Sequence, residues 1–223
     1  MHSLIPSPRA LFEPDHSIAW KLIHSAELPW DFLDAIANFI AEYGSKLSSS
    51  EFRQLPNHIY ISKSAIISPT AYIGPCTIID AGAEIRHCAY IRGSTIIGKR
   101  AVVGNSCELK NCILSDDVQV PHFNYVGDSI LGWKAHLGAG VITSNVKSDK
   151  SEITIKAEGT TIRTGRRKLG AILGDHVEIG CNSVLFPGTI IGRNTTVYPL
   201  TRVRGILPAD SICKSEGNLV SKH

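Results

Sequence analysis

No apolar run in the 223 residues approaches the ~18 consecutive positions of a membrane-spanning helix, so no membrane partner is expected. No Cys-x-x-Cys pair occurs among Cys76, Cys88, Cys107, Cys112, Cys181 and Cys213, and no signal peptide precedes them. The cysteines are therefore expected to be reduced, in a cytoplasmic protein, with no metal site of their own. Neither sign of charge dominates. Lys and Arg number 23 against 20 Asp and Glu, a net +3 that is no footprint for nucleic acid. A Gly-rich phosphate loop is also missing.

What is present is a period of six. Every sixth residue from position 61 reads Ile61, Ile67, Ile73, Ile79, Ile85, Ile91, Ile97, Val103, Leu109. If roughly a quarter of residues are of this type, chance gives such a run about once in 10⁵ or less. Four residues after each of the first eight stands a small one: Ala65, Ala71, Thr77, Ala83, Ala89, Thr95, Ala101, Cys107. Six fits neither a helix nor a plain strand alternation. It fits a β-solenoid whose short strands turn a corner every hexapeptide, three to a triangular coil. The aliphatic residue points to the axis and the small one sits near the corner. Cys107 fills a small slot, so packing explains it. Gly74, Gly98 and Gly104 follow aliphatic positions, where the turn is expected to need φ > 0.

The chain is expected to divide in three. Residues 1–56 lack the repeat and carry a short helix over Asp15–Glu27 and a better one over Asp31–Tyr43, with Phe32, Leu33, Ile36, Phe39, Ile40 and Tyr43 on one face. They are expected to form a helical cap on the first coil, with a partner-docking element as the alternative. Residues 57–208 form the solenoid. Its phase breaks after Leu109, because Leu131 lies 22 residues on, which predicts an insertion near 115–130. A second insertion, 143–172, carries Lys147, Lys150, Lys156, Arg163, Arg166, Arg167 and Lys168. The repeat resumes at Leu173, Ile179, Leu185, Ile191, Val197 and Val203. Residues 209–223 read as a polar tail.

Chemistry is expected at the insertions. His122 can take a proton near pH 7. Tyr125 can donate to a carbonyl or an oxyanion. Asn145 can hold a polar substrate group, and Arg92 and Lys110 could grip a phosphate. Arg166, Arg167 and Lys168 are candidates for meeting the phosphates of a cofactor. Each of these is, on residue type alone, as readily a solvated surface residue.

The run His122-Phe-Asn-Tyr-Val-Gly-Asp128, followed by Leu137-Gly-Ala-Gly-Val-Ile-Thr-Ser-Asn145, resembles the acetyltransferase half of the bifunctional enzyme that makes UDP-N-acetylglucosamine. Gly104-Asn-Ser-Cys-Glu-Leu-Lys110 resembles it too. Thr164-Gly-Arg-Arg-Lys-Leu-Gly170 is similar to a variant in sugar-1-phosphate nucleotidylyltransferases with an amino-sugar acetyltransferase domain. The resemblance covers roughly residues 60–208. It implies an all-β, left-handed parallel β-helix and a homotrimer with inter-subunit sites. It implies acetyl-CoA as co-substrate and acetylation of an amino-sugar 1-phosphate, of the glucosamine-1-phosphate type, in nucleotide-sugar synthesis. It makes His122 the general base, Tyr125 a substrate and oxyanion contact, Arg92 and Lys110 the phosphate pair, and Asn145 a substrate contact. It puts Ala139 near the acetyl group.

Several positions depart from the family. His136 replaces an Asn, Ser151 and Thr154 replace lysines, and Cys181, a cofactor-binding candidate, replaces a Ser. Lys150 takes the acetyl-CoA lysine's part only if its loop shifts by one residue. No nucleotidyltransferase domain is expected within residues 1–56. The alternatives are a non-catalytic sugar-phosphate-binding or regulatory β-helix, an acyltransferase for another donor or acceptor, and a zinc enzyme using His87, His122, His136 or His176 across subunits.

Overall fold

A computed structural model describes residues 4–157 and 159–222. The period-six stretch folds into the expected three-sided parallel β-helix. The first face stacks Ile59–Ser62, Thr77–Ile79, Thr95–Ile97, the ends of Glu108–Leu114 and Tyr125–Leu131, then Ala171–Leu173, Thr189–Ile191 and Ile206–Leu207. The second face runs from Ile66–Ile67 through Glu84–Ile85, Val102–Asn105, Gln119–His122, His136–Leu137, Glu178–Ile179 and Thr196–Val197 to Ser211–Ser215. The third holds Tyr72–Ile73, Tyr90–Ile91, the starts of Glu108–Leu114 and Tyr125–Leu131, then Ile142–Thr143, Val184–Leu185 and Arg202–Val203.

The periodic aliphatics make the axis. Ile61, Ile79, Ile85, Ile91, Ile97, Val103 and Leu109 are buried in one cluster, and Ile67 and Ile73 pack against it. Leu173, Ile179, Leu185, Ile191, Val197 and Val203 continue it. Each such side chain contributes roughly 1.5–3 kcal/mol on burial. The small slots stay small because they face the same axis. Where the slot is Thr, its hydroxyl is satisfied locally: Thr77 donates to the Gly74 carbonyl and Thr95 to that of Gly93, both at 2.9 Å.

Four features differ from the sequence expectation. Residues 115–130 are not an insertion. Cys112 pairs with Thr95 and Ser129 with Cys112, 17 residues apart, where Thr95 and Thr77 are 18 apart. Two successive coils are each one residue short, at the corner between the third and first faces. Glu108–Leu114 and Tyr125–Leu131 therefore run around that corner as continuous strands. The stretch 143–172 does hold an insertion, since Ile172 pairs with Ile130 and Glu178 with His136, 42 residues apart. Its body is an antiparallel hairpin, Thr154–Ala157 with Thr160–Arg163.

The N-terminal helices do not cap the first coil. Short helices Pro8–Leu11 and Trp20–Ser25, a 3-10 turn Asp31–Ala35 and a helix Ile36–Gly44 lie along the outside of the first face. Leu11, Ile23, Trp30, Leu33, Ile36 and Ile40 join a second core with Ile78, Ile96, Ile113, Ile130, Ile172 and Ile190, the outward residues of that face. A strand apolar on both sides must be buried on both sides. The hairpin in the insertion completes the cover with Ile153, Ile155 and Ile162. The first coil's edge is instead met by Phe52–Leu55, antiparallel to Ile59–Ser62. The polar tail is also ordered: Ser211–Ser215 is the last rung of the second face and turns back on Asn218–Ser221.

Gly74, Gly98 and Gly104 do not adopt positive φ. That conformation falls two residues later, on Cys76, Arg100 and Ser106. These glycines are required by close approach instead: a Cβ on Gly104 would overlap the Pro121 carbonyl of the next coil. Gly104→Ala is expected to cost roughly 2–4 kcal/mol, read as a lowered urea midpoint with unchanged slope.

Candidate active site on the third face

Two corners border the third face, and the candidate residues divide between them. The corner joining the second and third faces carries a column of backbone rungs. Phe123 N donates to Asn105 O, Gly140 N to His122 O, Asn182 N to Ala139 O and Leu200 N to Cys181 O. Asn105, His122, Ala139 and Cys181 are thus successive rungs, each about 4.8 Å from the next. The structure brings together three candidates that the sequence places 17 and 42 residues apart. His122 is exposed, and no described residue hydrogen-bonds its imidazole. Its backbone is fixed: His122 N donates to Asn124 Oδ1 at 3.1 Å. Asn124, 2% exposed, donates in turn to Gly138 O at 2.8 Å. Burying an amide with its bonds satisfied pins the corner that presents the imidazole.

The other corner holds a polar network around Asp128, which is 2% exposed. Lys110 Nζ lies 3.0 and 3.2 Å from its two carboxylate oxygens. Asn111 Nδ2 donates to Oδ1 at 2.9 Å and Asn145 Nδ2 to Oδ2 at 2.5 Å. Asn145 also donates to the Tyr125 hydroxyl at 3.2 Å. Tyr125 reaches this corner because residue 127 is glycine: a Cβ there would lie 2.5 Å from the Tyr125 Oη. Burial, and then the Asp128 charge, raise the Tyr125 pKa above its ordinary value. The phenol therefore stays protonated and able to donate. Arg92, one rung before Lys110, holds Glu108 Oε1 with Nη1 at 2.9 Å. The structure thus joins Lys110, Tyr125 and Asn145, with Arg92 beside them.

The residues expected to meet the cofactor separate. Lys150, Arg167 and Lys168 are exposed on the insertion. Arg166 is turned to the flank, where it makes a two-pronged pair with Asp34 of the N-terminal segment, Nη1 to Oδ2 at 2.9 Å. A cavity of about 530 Å³ opens instead beneath the insertion, lined by Ser144, Lys147, Thr154, Lys156, Phe186 and Arg204, among others. Arg204 stacks over Phe186 at 4.5 Å. This basic cavity adjoins Asn145 through Ser144, and sequence reasoning missed its Arg204 because nothing local marks it. Asp128, Asn124 and Glu108 were also missed, although all three lie inside the quoted motifs. Their role is to hold other residues, which residue type does not reveal.

Within a single chain the histidines weighed for zinc do not converge. His136 Nδ1 meets Glu178 Oε2 at 2.8 Å, and His176 packs edge-on to Trp133. Among the described residues no group of three or more His, Cys, Asp or Glu is placed to hold a metal ion. No helix among them is long and apolar enough to cross a membrane.

Comparison with known proteins adds an independent line. Residues 77–177 match the family model of the GMPPB C-terminal domain. The chain is 33% identical to the bifunctional protein GlmU of Methanococcus vannielii, over 100% of this chain and 57% of that protein. It is 32% identical to the bifunctional sugar-1-phosphate nucleotidylyltransferase/acetyltransferase of Sulfurisphaera tokodaii, over 77% of this chain and 43% of that one. The uncharacterized acetyltransferase YaiX of Escherichia coli is 31% identical over 68% of this chain and 72% of its own length. The chain spans about half the length of the bifunctional relatives it matches. Among solved structures, an acetyltransferase from Bacillus cereus is similar over 75% of this chain and 79% of its own, at 20% identity and a TM-score of 0.41. Sequence motifs, hexapeptide coils and relatives agree, and the chain belongs to the hexapeptide-repeat acyltransferases that include the GlmU-type and sugar-1-phosphate nucleotidylyltransferase/acetyltransferase proteins.

Proposed function

We propose that the protein is a CoA-dependent N-acetyltransferase whose acceptor is an amino-sugar phosphate of the glucosamine-1-phosphate type, in nucleotide-sugar synthesis. The observation that carries this reading is the third face itself. An imidazole that no described residue hydrogen-bonds stands at one of its corners, and a phenol with its amide and ammonium neighbours stands at the other. In the proposed reaction His122 takes a proton from the sugar amine as its nitrogen attacks the thioester carbonyl. The oxyanion that forms accepts a hydrogen bond from Tyr125 or a backbone N–H. Collapse breaks the C–S bond, and His122 returns the proton to the leaving thiolate. Arg92 keeps Nε and Nη2 free of described partners while Nη1 holds Glu108, so it can still take a phosphate oxygen alongside Lys110. The basic cavity under the insertion fits the phosphates and adenine of acetyl-CoA, with Lys147, Lys156 and Arg204 in place of the diverted Arg166.

A trimer fits the same face. Phe123 is 61% exposed with φ +53° beside His122, and Leu200 is 77% exposed with φ +61° in the same corner column. Large apolar side chains held in strained, solvent-facing corners suit cover by a second copy.

The direct test is thiol release from acetyl-CoA. Release is expected only when an amino-sugar phosphate such as glucosamine 1-phosphate is added, with the acetylated amine as product. Binding of sugar phosphate by calorimetry, with no acetyl-CoA binding and no thiol release, would replace this reading by the non-catalytic one.

A further inference from the structure

The outward column of the third face does not end at the candidate site. Tyr125 stands opposite Glu108, Glu108 opposite Tyr90, and Tyr90 opposite Tyr72. Tyr90 and Tyr72 are 46% and 57% exposed, and their rings touch, with centroids 5.4 Å apart and planes tilted by 57°. The two exposed rings form an angled aromatic pair, open to solvent and in the same outward column as the site. Its distance is defined by the coils: Tyr90 lies two rungs from Tyr125, about 10 Å, and Tyr72 three rungs, about 14 Å. Arg92 lies in the same coil as Tyr90, one rung before Lys110, and so links the tyrosine pair to the site.

We infer that Tyr72 and Tyr90 form a subsite for a nucleobase, so that the acceptor is a nucleotide-linked amino sugar in preference to a free sugar 1-phosphate. This rests on the acetyl-transfer reading for its catalytic consequence, but the subsite itself does not. The order along the face supports it. The amine must lie by His122 and the phosphate by Arg92 and Lys110. A group esterified to the far side of that phosphate then continues toward the first coils, where the tyrosines are. A second phosphate would meet the edge of Arg92 that bonds no described residue, and a planar heterocycle would stack on one ring and meet the other at its edge. Base–aromatic stacking of this kind changes affinity by roughly tenfold per base.

The experiment uses the full chain and two readouts. Calorimetry with UDP and with GDP alone measures the subsite without any acetyl transfer. At least one of them is expected to bind, about tenfold more weakly to the Tyr72→Ala/Tyr90→Ala variant, and with near wild-type affinity to Tyr72→Phe/Tyr90→Phe, which keeps the rings. The second readout is the ratio of kcat/KM for UDP-glucosamine to that for glucosamine 1-phosphate, expected to favour the nucleotide form and to fall about tenfold in the double Ala variant. If neither nucleotide binds, or binding is equal in all three proteins, the subsite is wrong. A change in sedimenting mass in the double Ala variant with unchanged nucleotide binding would assign the tyrosine pair to subunit contact instead. Nucleotide binding that depends on the rings, in a protein that releases no thiol with either acceptor, would keep the subsite and reject acetyl transfer.

Discussion

His122→Ala is expected to lower amine-dependent thiol release by about 10²–10⁴-fold while leaving the fold intact. The imidazole is exposed, and no described residue hydrogen-bonds it, so its removal leaves no buried group unsatisfied. Stability should therefore change by no more than about 0.5 kcal/mol. The backbone of the corner is held by Asn124, not by the ring. That separation gives the variant its diagnostic value, since loss of activity cannot then be attributed to loss of structure. A base acting only in the transition state lowers kcat and kcat/KM together, with acceptor KM nearly unchanged. If thiol release persists within a few-fold of wild type, His122 is not the base. If KM alone rises, it is a binding group. Asn124→Ala supplies the contrast, because it should cost stability and disturb His122 only indirectly.

Much of the fold was legible because one physical rule repeats. An inward aliphatic every six residues and a small residue at each corner are demanded by a triangular cross-section, and both patterns are visible in the chain. The one-residue shortening of two coils was harder to read. Losing one residue shifts the phase as an inserted loop would, and periodicity alone does not separate them. The backbone does, because a shortened corner lets Glu108–Leu114 pass around it as one strand. The cover that the N-terminal helices lay over the first face was legible in principle. Ile78, Ile96, Ile113, Ile130, Ile172 and Ile190 repeat beside the inward residues on one face only, and an apolar residue next to an inward one must itself be covered. Of the site, His122, Tyr125, Lys110 and Asn145 could be named from motif and chemistry. Arg166 could not be separated from Arg204 in the same way: a pair between residues 34 and 166 depends on the N-terminal segment lying against the insertion, which no local pattern encodes.

Asp128→Ala is expected to be the most damaging single change at the site, in stability as well as activity. Three donors converge on this buried carboxylate, and deleting it leaves three half-buried donors without their acceptor. Removing one partner of a buried pair costs more than the pair contributes, because the remaining charge stays desolvated. Lys110 is 26% exposed and can recover some hydration, so the loss should be about 2–4 kcal/mol, below the full cost for an enclosed pair. Denaturant unfolding measures it. Asp128→Asn separates charge from shape: the amide keeps one acceptor but turns a donor toward Lys110 or Asn145, so an intermediate loss is expected. Lys110→Met in the Asp128→Ala background should restore part of the stability by removing the unpaired ammonium. The double-mutant cycle should therefore be non-additive by more than about 0.5 kcal/mol. Additive losses would mean that the carboxylate and ammonium do not interact energetically. Activity should fall with the carboxylate even where the fold survives. Asn145, no longer held by Asp128, releases the Tyr125 hydroxyl, and the phenol over Gly127 then has no fixed direction in which to donate.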